Sequence, residues 1–536
     1  GKISFYKSNL SIAHPDYIEE IENEKNLRKI ENIYPLTRGI QLRDIKNILN
    51  TGKNHIKDFD EWLDDYLLKK YQFNSFVYSL NKIHFPESLL DVENKEKFRQ
   101  RLSIDELISN YFAIRYLKEK TKKKELPLNL DNNEQLLAIQ KLPFQLTEKQ
   151  SQAINLINQL NKSNYRENML LQGDVGSGKT IIALLTALPF ITSGYQVAYM
   201  APTEILAQQI FDNLKTLITS PNIFSTLLTG STKNKPEIYD KIKKNEINFV
   251  IGTHAIFQEK LIFNNLSYVI IDEQHRFGVQ QRLLLAEKGI NTNILLMSAT
   301  PIPRTLALAQ YGEIEQIIVN ERPAFQKPII TKVSSNEKIK DLILFLKNNV
   351  NKHQQAYWIC PLVEASEGQQ YKDVETRYKS LKKVFGNEVQ FLHGKMKSEE
   401  KESIIQSFKK GNIKLLVATT VIEVGIDNKN ANFIIIENSE KFGLSQLHQL
   451  RGRVGRGSSQ GYCFVLYGEE ITDNSTERLK VFKKTLDGFK LAEKDLEIRG
   501  TGDILGYRQS GDSLFKFVDV QRDQQIILDA LQYVKK

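Results

Sequence analysis

Cysteine and long apolar runs are scarce in this chain of 536 residues. Cys360 and Cys463 are its only cysteines, and each lies inside an apolar, strand-like run. We therefore interpret both as small buried side chains and not as a disulfide or a metal site. No run of about 18 apolar residues occurs, so no membrane-spanning helix is expected, and no signal peptide is expected either. These absences favour a protein of a reducing cytosol.

Positive charge exceeds negative charge in the chain. It carries 74 Lys and Arg against 64 Asp and Glu, a formal net charge of +10, with a pI near 9.1. This excess favours a polyanionic partner such as nucleic acid, although many basic proteins bind none. At about 150 residues per domain, the length predicts three to four domains. The chain begins at Gly1 without Met, inside a strand-like segment, and we expect it to be the tail of a larger protein.

Short apolar runs alternate with helical patterns from about residue 168 onward. Such runs are typical of strands buried on both faces of a parallel sheet. The first set covers residues 169–172, 197–200, 249–252, 268–271 and 294–297, and the second covers 356–359, 389–392, 415–418, 433–436 and 462–465. We predict an α/β fold of two tandem, doubly wound parallel-sheet lobes. Pro323 and Pro328 favour an extended linker between the lobes.

Helical patterns flank the two predicted lobes. Helical spacing of apolar residues over 31–125 predicts an N-terminal helical segment. Its charged end, residues 118–125, is interpreted as a solvated helix end, with a direct DNA contact as the alternative. The pattern after residue 473 predicts a C-terminal helical hairpin and then a loop around Gly500 to Gly511.

The segment Gly173-Asp174-Val175-Gly176-Ser177-Gly178-Lys179-Thr180 lies between a predicted strand and a predicted helix, which is the setting of a phosphate-binding P-loop. Glycines let backbone N–H groups approach phosphates, and the helix N-terminus adds positive potential. We predict that all eight residues bind the nucleotide. Lys179 is expected to reach the β- and γ-phosphates, and the Thr180 hydroxyl is expected to bind Mg²⁺.

Asp272 and Glu273 end another apolar run, so we expect them beside the P-loop at the carboxyl edge of the sheet. Asp272 is predicted to hold Mg²⁺ through water, and Glu273 to orient or deprotonate the attacking water. Gln274 and His275 are predicted to couple the nucleotide site to the other lobe. For His275, a purely structural role is the alternative.

Two residues upstream of the P-loop are candidates for recognising the base. The Gln150 amide suits the adenine edge and would select ATP over GTP. Phe144 is expected either to pack near the base or to be an ordinary core aromatic.

Arg453 and Arg456 follow a helical pattern in the second predicted lobe. An arginine reaching across the cleft stabilises charge on the γ-phosphoryl group, so both are predicted to be catalytic, while Arg451 is expected to make a salt bridge.

Other strand ends supply further candidates. Thr419 or Thr420 is expected to meet phosphate, Asp427 to approach the ribose or an arginine, and Ser298 and Thr300 to relay between site and hinge.

In this order, the segments resemble the motor of superfamily-two helicases over about residues 140–470. Residues 489–502 and 506–511 resemble a translocation motif shared by RecG branch-migration helicases and the transcription-repair coupling factor. The segments closer to RecG are 14–17, 34–37, 83–88, 445–448, 492–495 and 508–511. Thr501, Tyr507 and Asn428-Lys429 depart from the family pattern, but none of them handles phosphate.

The resemblance implies five domains: a remnant of an OB-fold wedge (1–30), a helical linker (31–130), an ATP-binding RecA-like lobe (131–320), a second RecA-like lobe (321–472) and the translocation hairpin with its loop (473–536). It also implies a monomeric, ATP- and Mg²⁺-dependent motor on branched double-stranded DNA, which remodels forks and Holliday junctions in recombination and repair. Single-stranded-DNA-binding protein is an expected partner, and the bacterial cytoplasm, with nucleoid association, is the expected location.

For the translocation motif, we expect Arg499 and Arg508 to hydrogen-bond across the helical pair while Gln509 reaches the DNA. A solvated helix pair with a glycine-rich loop is the alternative. Three other functions remain open: a translocase that displaces RNA polymerase, a DNA-structure-binding scaffold with a degenerate motor, and an RNA helicase.

Overall fold

The computed structural model describes residues 2–6, 9–13, 20–23, 30, 32–34, 39–53, 55–56, 59–121, 128–163, 165–218, 220–273, 288–289, 292–299, 314–321, 326–351, 353–361, 372–394, 396, 398–419, 428–468, 471–499, 515–520 and 522–535. The chain forms two compact units. The first contains Gly1–Ile114 and Ser513–Lys536, and the second contains Arg115–Asp512.

The first unit is mainly helical. Its two strands, β1 (Lys2–Tyr6) and β2 (Asn9–Ala13), pair in an antiparallel hairpin. The helices in chain order are α1 (Leu42–Lys53), α2 (Asp65–Tyr71), α3 (Phe76–His84), α4 (Leu89–Glu93) and α5 (Lys95–Thr121), which extends past the unit boundary. Polar side chains fix where the short helices begin, because each accepts a hydrogen bond from an otherwise unpaired backbone N–H. The caps are Asp64 for α2, Ser75 for α3 and Ser88 for α4.

The C-terminal helix (Gln524–Lys535) also belongs to the first unit. Arg99 on α5 makes two hydrogen bonds of 2.7 Å to the buried Asp523 carboxylate. The Glu106 carboxylate accepts the backbone N–H groups of Lys516 at 2.7 Å and Phe517 at 2.8 Å. Charge-assisted bonds of this kind are stronger than neutral ones, so they tie the end of the chain to α5. The single C-terminal domain over 473–536 stays a prediction.

The second unit begins with a seven-stranded sheet, counted over the described residues, in the order β5-β6-β4-β7-β8-β3-β9. All its pairings are parallel. The strands are β3 (Asn168–Gly173), β4 (Gln196–Met200), β5 (Ser225–Leu228), β6 (Phe249–Gly252), β7 (Leu266–Ile271), β8 (Asn293–Ser298) and β9 (Glu315–Val319). The associated helices are α6 (Asn133–Lys141), α7 (Glu148–Asn161), α8 (Lys179–Thr192), α9 (Glu204–Leu217) and α10 (Lys235–Lys243). These elements form the first lobe.

A second sheet follows, with six parallel strands within the described ranges, in the order β10-β15-β14-β11-β13-β12. The strands are β10 (Ile330–Ser335), β11 (Gln355–Ile359), β12 (Val389–Leu392), β13 (Leu415–Ala418), β14 (Ala431–Ile436) and β15 (Tyr462–Tyr467). Its helices are α11 (Ile339–Asn349), α12 (Lys372–Phe385), α13 (Ser398–Lys409) and α14 (Leu444–Arg451), and they complete the second lobe. Two more helices, α15 (Asp473–Lys484) and α16 (Gly488–Arg499), come after it. Short 3-10 helices cover Ile21–Asn23, His254–Phe257, Asn336–Lys338, Gly386–Glu388 and Ser439–Lys441.

Each sheet is buried on both faces, which explains the short apolar runs in the sequence. Alternate residues of a strand point to opposite faces. In β4, Tyr199 packs into one core with Phe190 and Tyr268, while Ala198 belongs to the core on the other face. The second lobe has the same arrangement of two cores. The predicted tandem, doubly wound α/β lobes are confirmed, and Cys360 and Cys463 are buried, unbridged side chains within the second lobe.

A buried glutamine braces the central strand of the first lobe. Gln196, the first residue of β4, donates to the carbonyls of Ile242 at 2.7 Å and Ile247 at 2.8 Å. Its Oε1 accepts the N–H of Asn264 at 2.8 Å. The strand register shifts immediately after this residue. Its side chain satisfies backbone groups at the end of α10, in the segment that follows α10 and just before β7, none of which belongs to the ladder of β4.

The second lobe repeats this device. Gln355, the first residue of β11, donates to the carbonyls of Phe408 at 2.6 Å and Ile413 at 2.5 Å, and accepts from the Asn428 side chain at 3.0 Å. The register shifts after Gln355 as it does after Gln196. The two lobes therefore share a structural plan down to individual side chains.

Two observations concern sites that the described part of the chain does not form. None of its helices combines the length and apolar character that a bilayer crossing requires. Within the same ranges, no group of three or more His, Cys, Asp and Glu side chains is arranged to hold a metal by itself.

Candidate active site

The P-loop connects the end of β3, at Gly173, with the start of α8, at Lys179. Gly176 and Gly178 have φ angles of +86° and +88°, a region that strains residues with a side chain. A Cβ on Gly173 would lie 2.4 Å from the carbonyl oxygen of Val319. No side chain caps α8 among the described residues. The first N–H groups of this 14-residue helix therefore suit an anion, and the loop fits a nucleotide phosphate chain.

Lys179 lies inside this loop. Its Nζ donates to the carbonyl oxygens of Gly173 at 2.6 Å and Asp174 at 2.9 Å. Burial lowers the pKa of Lys179, and the negative charges of Glu273 and Asp272 oppose that shift. The ammonium group is therefore held at the cradle, within the electrostatic reach of both acids.

Asp272 and Glu273 follow β7 directly, as predicted, and both are buried. The Asp272 Oδ1 accepts the N–H of Glu273 at 2.9 Å. Burial and repulsion by Glu273 raise the pKa of Asp272 to about 7, and Lys179 opposes this rise. The two buried acids and the half-buried Thr180 hydroxyl at the start of α8 are oxygen ligands of the type that Mg²⁺ prefers, so these donor types fit the ion.

Glu273 has an unusual backbone. Its φ angle of +49° lies in the left-handed region, which costs a residue with a Cβ about 1–2 kcal/mol. Such strain persists where the surrounding structure enforces it, and it concentrates at functional sites. The strained backbone is consistent with the predicted role of Glu273, which stays a prediction.

The second lobe contributes a turn that follows α14 and carries Arg453 and Arg456, called the arginine turn below (452–456). A Cβ on Gly452 would lie 2.6 Å from the Cβ of Val175, so the turn packs directly on the P-loop. Arg453 is buried, and its positive charge lowers the pKa of Asp272, while that of Arg456 lowers the pKa of Lys179. The structure thus brings both predicted arginines to the predicted acids and lysine from the opposite lobe.

A direct hydrogen bond also joins the lobes, and sequence reasoning missed it. His448 Nε2 lies 3.1 Å from the Oδ1 of Asp174 in the P-loop, and both side chains are largely buried. The two residues are 274 positions apart, so no local spacing could have indicated the pair.

Gln150 contacts the P-loop as part of a helix cap. Its Oε1 accepts the N–H of Thr147 at 2.9 Å, which completes a capping box at the start of α7, and its Nε2 donates to the carbonyl of Ser177 at 2.8 Å. Phe144 is 37% exposed and so is not an ordinary core aromatic. Adenine recognition by either residue stays a prediction.

The remaining candidates are only partly described. Ser298 ends β8 and Thr419 follows β13, and both are fully buried. Arg499 is the last residue of α16, and its side chain lies outside the described part of the structure. Seven other candidates lie entirely outside the described residues: Gln274, His275, Thr300, Thr420, Asp427, Arg508 and Gln509.

Three family models match the chain in the order of its structure. They are the DEAD/DEAH box helicase model over residues 147–309, the helicase conserved C-terminal domain over 335–458, and the C-terminal part of domain 3 of the ATP-dependent DNA helicase RecG over 485–536.

Curated relatives match almost the whole chain. The ATP-dependent DNA helicase RecG of Aquifex aeolicus is 40% identical over 547 residues, which covers 98% of this chain and 69% of the relative. The protein of the same name from Streptococcus pneumoniae serotype 4 is 41% identical over 532 residues, covering 98% of this chain and 78% of the relative.

Solved structures agree with the relatives. RecG bound to a three-way DNA junction matches with a TM-score of 0.70 and 36% identity, over 97% of this chain and 68% of that one. The DEAD-box helicase Mss116, bound to ssRNA and UDP-BeF, matches with a TM-score of 0.54 and 18% identity over 76% of this chain and 93% of its own. The second likeness concerns the fold alone.

Proposed function

Because this chain belongs to the RecG family of ATP-dependent DNA helicases, we propose that it hydrolyses ATP between its lobes to move along branched double-stranded DNA. In this proposal it remodels stalled forks and Holliday junctions by branch migration, in recombination and repair. One observation supports it above the others: the arginine turn of the second lobe packs on the P-loop of the first, since Gly452 has no room for a Cβ beside Val175. A site completed by two lobes assembles only when they close, so hydrolysis can drive movement.

The nucleotide phosphates are held by the backbone of Gly173 to Thr180 and by Lys179. Thr180 and Asp272 would hold Mg²⁺, which when bound would neutralise developing charge on the phosphates. Glu273 orients the attacking water and accepts its proton. Arg453 and Arg456 stabilise negative charge on the transferred γ-phosphoryl group.

Several finer proposals concern partners and coupling. Branched DNA is the proposed substrate, because the related RecG structure is bound to a three-way DNA junction. We also propose a cytoplasmic, nucleoid-associated monomer that meets single-stranded-DNA-binding protein. In the translocation motif, Arg499, Arg508 and Gln509 are proposed to pass lobe movement to the DNA.

The test is ATP hydrolysis by this chain with and without a synthetic four-way junction. We expect strong stimulation by the junction and hydrolysis at background level in Lys179→Ala, because the lysine contacts the phosphates throughout the reaction. Lys162→Ala, at an exposed lysine of the same lobe, is the matched control and should behave as wild type.

Other outcomes distinguish the rival functions. Junction binding without hydrolysis by the wild type would favour a scaffold. Stimulation by RNA alone would favour an RNA helicase. Displacement of stalled RNA polymerase without reversal of a model fork would favour a translocase of the transcription-repair kind.

A further inference from the structure

His448 lies in the last turn of α14, and its ring lies between an aspartate of the P-loop and an arginine of the same helix. Its Nε2 is 3.1 Å from Asp174 Oδ1 in the P-loop, and its Nδ1 is 3.0 Å from Arg451 Nη2. Only 5% of the His448 side chain and 12% of the Asp174 side chain are exposed. Both ring nitrogens therefore bond to protein groups that water does not screen.

The chemistry of the neighbours fixes the direction of each bond. A guanidinium group has donors only, so Arg451 must donate to Nδ1, and Nδ1 carries no proton. The Nε2–H then donates to the Asp174 carboxylate. The neutral imidazole with its proton on Nε2 is the form that makes both bonds, and it connects a cation to an anion across the lobes.

Arg451 is itself held firmly. It is almost completely buried, its Nη1 donates to the carbonyl of Phe482 at 2.8 Å, and its guanidinium lies 4.2 Å from the centre of the Phe482 ring. Phe482 belongs to α15, which packs against α16. Arg451 thus holds the imidazole at Nδ1 within the second lobe, and the Nε2–H reaches Asp174 in the first.

The two ends of this bridge lie beside the groups that handle phosphate. The backbone carbonyl of Asp174 accepts a hydrogen bond from Lys179 Nζ. The residue that bonds to His448 therefore also helps to position the lysine. On the other side, α14 ends at Arg451, and the arginine turn begins with the next residue, Gly452. The side chain of His448 therefore connects Asp174 to the helix that leads directly into the backbone of Arg453.

We propose that His448 is a positioning residue that sets the register between the P-loop and the arginine turn, by donating from Nε2 to Asp174 while accepting at Nδ1 from Arg451. This inference rests on the proposed ATPase function. It assigns His448 no contact with the nucleotide. Loss of the bridge should leave ATP binding intact and slow the step that needs the arginines. If His448 merely filled the core, its substitution would lower stability but would leave both ATP binding and the hydrolysis rate of the folded protein unchanged.

Two substitutions separate the arms of the bridge. In His448→Asn the shorter side chain keeps an acceptor near the Nδ1 position but does not reach Asp174. In His448→Gln the amide Nε2–H reaches Asp174. We expect kcat of junction-stimulated hydrolysis to fall about tenfold in His448→Asn, within the usual range for coupling between sites, and to fall less in His448→Gln. The Kd of a fluorescent ATP analogue should stay within about twofold, as is usual where binding is not the step affected.

A double-mutant cycle with Asp174→Ala tests the pair itself. If the bond carries the effect, kcat of His448→Asn/Asp174→Ala should be no lower than that of the worse single variant. His353→Asn, at an exposed histidine of the second lobe, is the matched control. Unfolding followed by the fluorescence of the two tryptophans, Trp62 and the β11 residue Trp358, reports whether each variant is folded.

The outcomes are separable. Four outcomes would overturn the inference. The first two are a wild-type kcat in folded His448→Asn and equal losses of kcat in His448→Asn and His448→Gln. The other two are losses of kcat that multiply in the double-mutant cycle and a loss of analogue binding equal to the loss of kcat. A wild-type chain that hydrolyses no ATP with the junction would instead contradict the proposed function. In that case the Kd of the fluorescent ATP analogue tests the inference about His448, and weaker analogue binding by His448→Asn would overturn it.

Discussion

The first and second lobes contain the same six-strand arrangement within the described residues, and they differ at the strand ends. The order β5-β6-β4-β7-β8-β3 in the first lobe corresponds to β12-β13-β11-β14-β15-β10 in the second. Gln196 and Gln355 occupy the same position at the start of the central strand. By the same correspondence, β3 with α8 matches β10 with α11.

The matching strand-to-helix junctions show what the nucleotide site requires. Between β10 and α11, the Ser335 side chain caps a short 3-10 helix by accepting the N–H of Glu337. Between β3 and α8, the chain forms a glycine-rich loop with no side-chain cap among the described residues. In the second lobe a capped 3-10 helix precedes α11, whose own start has no side-chain cap among the described residues. In the first lobe the glycine-rich loop leads directly into α8 and leaves its first N–H groups available for an anion.

The ends of β7 and β14 make a second matched pair. Glu273 and Asn438 each stand two residues beyond their strand, with φ angles of +49° and +46°. Asparagine tolerates this left-handed conformation, whereas glutamate does not. At this position the second lobe has the residue that the backbone favours, and the first lobe has a carboxylate that the backbone disfavours.

The largest expected effect comes from giving the first lobe the residue of the second. Glu273→Asn removes the water-orienting carboxylate and relieves the backbone strain. Junction-stimulated hydrolysis should fall about a thousandfold, while the free energy of unfolding should rise by about 1 kcal/mol. Hydrolysis assays and urea unfolding measure the two effects.

Glu273→Gln is the matched control, because it removes the charge but keeps an unsuitable residue at that φ angle. It should lose hydrolysis equally. Both variants lose the repulsion between Glu273 and Asp272, so relief of backbone strain is measured by the extra stability of Glu273→Asn over Glu273→Gln, and equal stability of the two variants would contradict the role given to that strain.

A smaller effect is expected where the lobes touch. Gly452→Ala places a methyl group against Val175, and the backbone of Gly452 is helical, so no local strain interferes. Hydrolysis should fall about tenfold, as for a modest misplacement of catalytic groups. Steady-state assays of Gly452→Ala and of Gly52→Ala, where a Cβ has open space, measure it.

Adding Val175→Gly to Gly452→Ala removes the clashing side chain and should restore part of the activity lost in the alanine variant. Full activity in Gly452→Ala alone would mean that the arginine turn and the P-loop do not need to approach this closely.

The sequence predicted features that depend on local pattern. Buried parallel strands appear as short apolar runs, and the P-loop and the Asp272-Glu273 pair have fixed spacings relative to those strands. The structure brings Lys179, Asp272, Glu273, Arg453 and Arg456 within electrostatic reach of one another, while their catalytic roles stay predictions.

Other features depend on packing between distant residues, which no local period reveals. His448 meets Asp174 across 274 positions, and Arg99 meets Asp523 across 424. The strain at Glu273 was equally hidden, because nothing in the residue type indicates a left-handed backbone. The φ angle of Glu273 in the structure reveals it.

The central claim is that the first lobe binds ATP and the second completes the site for hydrolysis. The most direct measurement is the Kd of a fluorescent ATP analogue and the single-turnover hydrolysis rate, both in Arg456→Ala, with the exposed Arg522→Ala as control. We expect a nearly unchanged Kd and a rate lowered about a thousandfold, the usual contribution of an arginine supplied across a cleft. A rate equal to that of wild type, or a loss confined to binding, would contradict it.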